Sequence, residues 1–282
     1  MSIARMTELG AVSRRSFYRF DPDAEEDAER DMEVRDAIQR VALEMPSYGR
    51  PRITAELRRR GWRVNHKRVY RIMREDNLLC VRRRKFVLTT NSAHALKVYP
   101  NLQRELVLTG VDQLWIADIT YIRLREQFVF LAVILDAYSR RVIGWALDEK
   151  LDTQLAACAL RMALDRRSVT SDLVHHSDRG VQYASGEYTQ LLLDHGIRIS
   201  MSRKGNPYDN AACESFMKTL KYEEVYRSEY RNLSEARASL AAFLEKVYNE
   251  RRLHSALGYV PPAEFERALP LQKEAATRRL AE

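Results

Sequence analysis

Apolar residues recur along this chain with two different spacings, and the change between them divides the sequence in two. Up to about residue 80 they recur every three or four positions, as in amphipathic helices. The three sets are Val34, Ile38, Val41 and Leu43; Ile53 and Leu57; and Val69, Ile72 and Met73. From Asp112 onward, alternating or continuous apolar runs predict β-strands. The sequence therefore predicts an α-helical part followed by an α/β part.

Two short helices with a tight connection are predicted in "YGRPRITAELRRRGWRVNHKRVYRIMREDNLL". Pro51 suits the first turn of one helix and Gly61 its end. Asn65 can cap the second helix, which offers basic groups at its start and along its open side, namely His66, Lys67, Arg68 and Arg71. This pattern is typical of a DNA-reading helix-turn-helix, although similar helical hairpins also serve as packing modules.

The second part opens with three strand patterns joined by short connections, which predict an antiparallel meander. They are "QLWIADITYIRL", "FVFLAVILDAYS" and "RRVIGWALDE". A helix, a strand in "DLVHHSD", a second helix, a strand in "IRISMS" and a last helix follow. This order predicts an α/β, ribonuclease-H-like fold, with a mixed five-stranded sheet and flanking helices, preceded by a small all-α helix-turn-helix domain.

Three acidic residues fall at special places in the predicted sheet. Asp118 lies in mid-strand where an apolar residue is expected, Asp178 ends the fourth strand, and Glu214 opens the last helix. Strands one and four are neighbours in this topology, so the two aspartates would repel unless a divalent cation neutralised them. A blander alternative is that Glu214 forms an ordinary surface ion pair with Lys218, four residues later.

An all-oxygen ligand set favours magnesium or manganese over zinc. Two such ions about 3.5–4 Å apart can activate an attacking oxygen and stabilise a leaving oxygen during phosphoryl displacement. The arrangement therefore predicts a phosphoryl-transfer site.

Charge is distributed unevenly between the two parts. The chain holds 47 Lys and Arg against 39 Asp and Glu, a net charge of +8. Residues 50–97 carry 15 basic and 3 acidic side chains, whereas residues 111–282 carry 24 of each. Such a basic block predicts binding to nucleic acid, against the alternative of a merely solvated face. Residues 81–110 show no sustained period and predict a linker along the phosphate backbone, with contacts from Arg82, Arg83 and Arg84.

Cysteine spacing and the lack of long apolar runs exclude other classes of protein. Cys80, Cys158 and Cys213 are too far apart for a disulfide framework or a structural zinc site. No apolar run approaches the ~20 residues of a membrane span, and the N-terminal residues lack the apolar stretch of a secretory signal. We therefore expect a cytoplasmic protein with no membrane partner.

Five ordered motifs resemble the DDE transposases and retroviral-type integrases, and more narrowly the second-reading-frame protein of the insertion-sequence-three family. They are "DQLWIADITYI", "LDAYSRRVIGWAL", "HHSDRGVQY", "GNPYDNAACESFMKTLKYE" and the tail motif "YNERRLHSALGYVPPAEF". Thirty-five residues separate Asp178 from Glu214, as in that family. Upstream, "YGRPRITAEL" and "VNHKRVYRIMRE" resemble its helix-turn-helix segment.

The resemblance implies that Asp118, Asp178 and Glu214 are catalytic ligands of Mg²⁺ or Mn²⁺, with two ions per active site. It implies a transposase that cleaves the 3′ ends of a bacterial insertion sequence and joins them to target DNA. The partners implied are double-stranded DNA of the transposon ends and target, a homo-oligomer on that DNA, and an upstream-frame protein.

Other residues are expected to support this site. Lys218 and Lys221 share the Glu214 side of the helix, and the resemblance implies that they hold phosphates beside the scissile one, with Arg203 and Lys204 from the preceding loop. His175 and His176 flank a catalytic strand end and either position DNA or pack. Asp136 is expected to bond Ser139 or Arg140 rather than a metal.

Five segments are expected along the chain. They are a partial helix-turn-helix-like segment (1–22), a helix-turn-helix DNA-binding domain (23–80), a basic linker (81–110), the catalytic core (111–267) and a C-terminal tail (268–282). Two alternatives stay open, a catalytically silent DNA-binding protein and a core that needs fusion to the upstream frame for activity. A structure-specific nuclease of the same fold is disfavoured by the helix-turn-helix segment and the tail motif.

Overall fold

The computed structural model describes residues 3–10, 13, 24–79, 96–169, 172–203 and 210–270. The chain forms two compact units, Met1–Arg82 and Arg83–Glu282. The expectations placed on Arg82, Arg83, Arg84 and Lys204, and on most of the helix-turn-helix-like segment 1–22, lie outside the described residues.

Helices make up the described part of the first unit: α1 (Ile3–Leu9), α2 (Ala24–Glu44), α3 (Arg50–Arg59) and α4 (His66–Glu75). The predicted inward-facing residues are buried, with the exception of Leu43, which is 80% exposed. The Asn65 side chain accepts a hydrogen bond from the Lys67 N–H at 2.9 Å and so caps α4 as predicted. Helix α1 was not predicted.

The second unit is built on the predicted five-stranded mixed sheet, with strand order β3-β2-β1-β4-β5. Strands β1 to β3 form the antiparallel meander, while β4 pairs in parallel with β1 and with β5. The strands are β1 (Leu114–Arg123), β2 (Phe128–Asp136), β3 (Val142–Asp148), β4 (Val174–Ser177) and β5 (Arg198–Met201). The fold-class prediction is confirmed.

Helices cover both faces of this sheet. They are α5 (Thr153–Arg166), α6 (Val181–Ala184), α7 (Gly186–Asp194), α8 (Ala211–Glu223), α9 (Leu233–Ala241), a π-helical continuation (Ala242–Tyr248) and a last helix, α10, over residues 262–270. No helix within the described ranges is long and apolar enough to cross a membrane.

Alternate residues of β1 pack into two different cores. Leu114 and Ile116 belong to the core that contains the apolar side of α8, whereas Trp115 and Ala117 belong to the core beneath α5 and α7. Because side chains alternate along a strand, Asp118 projects toward the α8 side. The sheet thereby brings a polar residue of β1 to the helix that carries Glu214.

Gly144 of β3 allows α5 to lie directly on the sheet. A Cβ atom at this position would lie 2.2 Å from the Ala159 carbonyl oxygen and 2.9 Å from the Ala163 nitrogen. Both are backbone atoms of α5, so a side chain can be accommodated only if the helix moves.

We therefore predict that Gly144→Ala lowers the free energy of unfolding by at least about 2 kcal/mol, because the added methyl overpacks the helix–sheet contact. Gly186→Ala is the matched control, since a Cβ there meets no atom within 4 Å. Urea unfolding of both variants measures the difference. Equal loss in the two variants would show that helix packing at Gly144 is not the constraint.

Candidate active site

The parallel pairing of β1 with β4 sets two carboxylates at one level of the sheet. Trp115 pairs with His175 and Ile116 with His176. The same offset places Asp178, the first residue after β4, opposite Asp118. The pKa of Asp118 is raised to about 7, by burial first and then by the negative charge of Asp178, with a smaller contribution from Glu214. The three predicted acids therefore act on one another.

Backbone N–H groups fix the orientation of both aspartates. The Ile119 N–H donates to Asp118 Oδ1 at 2.9 Å, and the Gly180 N–H donates to Asp178 Oδ1 at 2.8 Å. A Cβ at Gly180 would lie only 3.0 Å from the same Asp178 oxygen. A side chain at position 180 would therefore press on the Asp178 oxygen that the Gly180 N–H holds.

Glu214 lies in the first turn of α8, whose opposite side is buried through Cys213, Phe216, Met217 and Leu220. The Lys218 ammonium is 4.0 Å from Glu214 Oε2, and both side chains are largely exposed. This surface pair exists but is loose, and such pairs contribute little. Among the described residues, no three His, Cys, Asp or Glu side chains stand close enough to enclose a metal ion. Glu214 is therefore within electrostatic reach of the aspartates without closing on them.

Lys221 lies differently from Lys218, although the sequence placed both on one side of α8. Its ammonium sits 4.3 Å from the centre of the Tyr121 ring. Burial lowers the pKa of Lys221, against the opposing attraction of Asp118. Lys221 thus provides positive charge inside the site, whereas Lys218 faces solvent.

His175 and His176 are buried side chains of β4. The Tyr188 hydroxyl lies 2.9 Å from His175 Nε2, and the pKa of His175 falls to about 3, through burial first and then the neighbouring His176. The two nitrogens of His176 lie 2.8 and 3.0 Å from the hydroxyl oxygens of Ser200 and Ser202. Of the two expected roles, positioning of DNA and packing, their contacts match packing.

Asp136 has the structural partner expected for it. Its Oδ1 accepts from the Ser139 N–H at 2.7 Å, and the Ser139 hydroxyl in turn donates to Glu266 at 2.7 Å. Glu266 also pairs with Arg141 and Arg167. Burial alone would raise the pKa of Glu266. The hydrogen bonds from Arg167, Arg141 and Ser139 lower it instead, and the bond from Arg167 has the largest effect of the three. This buried polar network ties α10 to the end of β2.

Residues of the tail motif hold α8, a role that the sequence did not reveal. The Tyr248 ring packs edge-on against Phe216 of α8, with ring centres 4.9 Å apart. The Arg252 guanidinium donates to both carboxylate oxygens of Glu223 at 2.8 and 2.7 Å, and the side chains are only 4% and 13% exposed. The pair joins the tail to the helix that carries Glu214. In the sequence, only the opposite charges of Arg252 and Glu223 could have indicated this pair.

Asn249 attaches the same tail to the sheet. Its side-chain oxygen accepts from the Val142 N–H and its amide donates to the Val142 carbonyl, both at 2.9 Å. One amide thus satisfies both backbone groups of the first residue of β3.

In the first unit, two of the predicted DNA-contacting arginines already have acidic partners. Arg68 and Arg71 both pair with Asp31 of α2, and Arg71 also lies 3.2 Å from Glu75. The expectation that they stay available is therefore wrong for the conformation seen here. His66 and Lys67 are exposed at the start of α4, and Arg203 is exposed after β5.

Family models and relatives match both units. Two models described as integrase core domain match residues 109–207 and 195–262, and one described as HTH-like domain matches residues 29–86. An uncharacterised 31 kDa protein of insertion element IS600 from Shigella sonnei is 36% identical, over 92% of this chain and 97% of its own. Transposase InsF of insertion sequence IS3A from Escherichia coli K12 is 41% identical, over 78% of this chain and 76% of its own.

A structural likeness is also found. The catalytic core domain of BIV integrase aligns with 58% of this chain and 99% of its own, at a TM-score of 0.43 and 19% sequence identity.

The repulsion between Asp118 and the carboxylates of Asp178 and Glu214 should lower the stability of the metal-free protein. Asp118→Asn should raise the free energy of unfolding of the metal-free protein by about 1–3 kcal/mol at pH 8, because it removes a charge held out of water beside two others. Asp165→Asn, an exposed change on α5, should leave it within about 0.5 kcal/mol. Chemical denaturation in chelator measures both. Destabilisation by Asp118→Asn would contradict the assignment of repulsion.

The second prediction concerns the Arg252–Glu223 pair. Arg252→Met should cost about 3 kcal/mol, because it leaves the Glu223 carboxylate buried without its partner. The double variant Arg252→Met, Glu223→Met should recover much of that loss, since replacing both charges removes the unpaired one. A double-mutant cycle by urea unfolding separates the cases. Simple addition of the two single losses would mean that the pair is not coupled.

Proposed function

The chain belongs to the insertion-sequence-three family of transposases, enzymes with an integrase core, and on that basis we propose that it catalyses metal-dependent 3′-end cleavage and strand transfer of transposon DNA. The observation that carries this proposal is the action of the Asp178 and Glu214 charges on Asp118, on the central strand of the sheet where β4 ends beside it. Packing of an apolar core does not by itself explain why three carboxylates lie so close together.

The donor set fits divalent metal ions. All three proposed ligands are carboxylates, the oxygen donors that Mg²⁺ and Mn²⁺ prefer. The pKa of Asp118 is raised by burial first and then by the charges of Asp178 and Glu214, and a cation would neutralise those charges. Asp118, Asp178 and Glu214 would hold two ions. When bound, those ions would act as Lewis acids toward the attacking and leaving oxygens of the phosphodiester.

The protein's own residues would align the DNA for two successive displacements. Water attacks the phosphorus at the transposon end, the bond to the 3′ oxygen breaks, and a free 3′ hydroxyl results. That hydroxyl then attacks a target phosphodiester, forming a new P–O bond and releasing the target's 3′ oxygen. No covalent link to the protein is required. Lys218, which faces solvent near Glu214, is suited to hold the adjacent phosphates.

Glu214 would complete the site only in the complex with DNA. Its carboxylate influences Asp118, yet the described carboxylates do not close into a three-ligand group. We propose that binding of the transposon end and metal draws the start of α8 toward the two aspartates, as conformational steps complete other enzyme sites.

The first unit would bind the element's ends through its HTH-like segment. His66 and Lys67 stand exposed at the capped start of α4, where the recognition helix of a helix-turn-helix meets base edges. The basic block of residues 50–97 supplies attraction to phosphates. A homo-oligomer that holds two ends together, and an upstream-frame protein, are further proposed partners.

The proposal predicts metal-dependent strand joining by the full chain on labelled duplexes that carry the ends flanking this gene. With Mg²⁺ or Mn²⁺, nicking and joining should be detected on a sequencing gel, and Glu214→Gln should reduce both by more than about 100-fold because a metal ligand is lost. Glu250→Gln, an exposed change in the tail motif, is the matched control.

Three outcomes decide between the alternatives. Equal activity in wild type and Glu214→Gln would remove Glu214 from the site. DNA binding without joining would favour the catalytically silent protein or the core that depends on the upstream frame. Joining that appears only when the upstream frame is fused would identify the latter.

A further inference from the structure

An exposed aromatic cluster lies beside the carboxylates. Among the aromatic side chains that the structure describes in the second unit, the exposed ones are Phe128, Tyr222 and Tyr226, at 52%, 37% and 60% exposure. They group together with the partly buried Tyr121. Rings of this size are normally covered by protein, so their collection at one place indicates a binding surface.

Ring contacts join these residues in two pairs, and we call the four together the aromatic cluster. Tyr121 and Phe128 meet edge to face with ring centres 5.5 Å apart, and Tyr222 and Tyr226 do the same at 5.6 Å. The two pairs adjoin, since the pKa of the Tyr226 hydroxyl is raised by burial first and then by the neighbouring Tyr121 and Tyr222. Edge-to-face pairs leave ring faces open for a further flat group.

Lys221 connects the aromatic cluster to the catalytic carboxylates. Its ammonium lies over the Tyr121 ring at 4.3 Å, and its charge acts on Asp118. Only the Lys221 side chain therefore separates a group that contacts Tyr121 from Asp118, a proposed metal ligand at the scissile phosphate.

Basic side chains flank the aromatic cluster on both sides. Arg123 is exposed and lies directly opposite Phe128 in the β1–β2 register. Arg227 is exposed and donates through Nε to the Tyr222 carbonyl at 3.1 Å. Two carboxylates at and just after the end of α8 are already engaged, since Glu223 pairs with Arg252 and Glu224 accepts from Tyr230. Flat rings with positive charge on both sides match the chemistry of single-stranded nucleic acid.

We propose that the aromatic cluster stacks unpaired bases at the end of the transposon DNA, next to the bond that is cut. This proposal rests on the proposed function and adds a second element to the substrate, a locally opened duplex. Bases inside a duplex have their faces covered by neighbours, so only separated nucleotides can use these rings. Stacking on exposed aromatics tolerates every base, so the cluster would not select sequence.

The test uses the full chain with two DNA probes. One is the fully paired end duplex, and the other is the same duplex with its last three base pairs replaced by mismatches and 2-aminopurine at the terminal position. Stacking quenches 2-aminopurine fluorescence, and anisotropy gives the affinity of each probe. The proteins are wild type, Tyr226→Ala, Tyr226→Phe and, as a control, Leu193→Ala, which removes a 53% exposed apolar side chain on α7.

Wild type should bind the mismatched probe about ten-fold more tightly than the paired one and quench it. Tyr226→Ala should lose that preference and the quenching while keeping its affinity for the paired probe, whereas Tyr226→Phe and Leu193→Ala should resemble wild type. No preference in wild type, or an unchanged Tyr226→Ala, would overturn the proposal. A change of oligomeric state in Tyr226→Ala without DNA would also overturn it, because the cluster would then be a protein–protein interface.

Glu214→Gln separates this proposal from the proposed function. The variant keeps all four rings, so it should still quench the mismatched probe even though strand joining is lost. Quenching without any joining by wild type would count against the catalytic proposal alone. Joining by wild type without quenching would count against the stacking proposal alone.

Discussion

Negative charge held out of water at the centre of the sheet, where β4 ends beside β1, is the constraint on which the second unit depends. Asp118 occupies a strand position that packing alone would give to an apolar residue, and burial together with Asp178 and Glu214 raises its pKa to about 7. The β1–β4 register and the N–H groups of Ile119 and Gly180 keep the two aspartates from turning away. An unfavourable arrangement of this kind, with carboxylates buried close together, persists only where the surrounding structure holds it in place. The two apolar cores on either side of the sheet supply that support.

The tail motif extends this support to the third carboxylate. It follows a π-helical segment, a rare geometry that often occurs near functional sites, and then runs along α8 from Phe216 to Glu223. Asn249 attaches the same stretch to β3. The meander and the Glu214 helix, which already share an apolar core, thus also share one anchor. Arg252 and Asn249 of the tail bind other parts of the protein, which gives these residues a structural role although they take no part in the proposed chemistry.

Local spacing predicted the features that depend on local physics. The strands followed from the apolar runs, and the proximity of Asp118 and Asp178 followed from the ribonuclease-H-like topology that the order of elements indicated. Helix α4 began at Asn65 because a side-chain cap is a short-range interaction. Spacing did not predict that Arg68 and Arg71 pair with Asp31, that Lys221 rests on Tyr121, or that Arg252 meets Glu223. Such pairs depend on how whole helices pack, and many combinations of opposite charges suit a sequence equally well. The inward-facing prediction for Leu43 is wrong because Leu43 follows Val41 by only two residues, about 200° around the helix, and its side chain is 80% exposed. The catalytic roles of the three acids stay predictions.

The buried pair of Arg252 with Glu223 changes how inactive copies of a mobile gene should be recognised. A copy judged only by its three proposed catalytic acids would count as intact whatever residue stood at position 252. In this fold a single substitution of Arg252 leaves those three acids unchanged but leaves the Glu223 carboxylate, at the end of the Glu214 helix, buried without its partner. If the proposed function holds, selection to keep the element mobile acts on the far end of that helix as well as on Glu214. A genome survey that counts acids alone will overstate how many copies can still move.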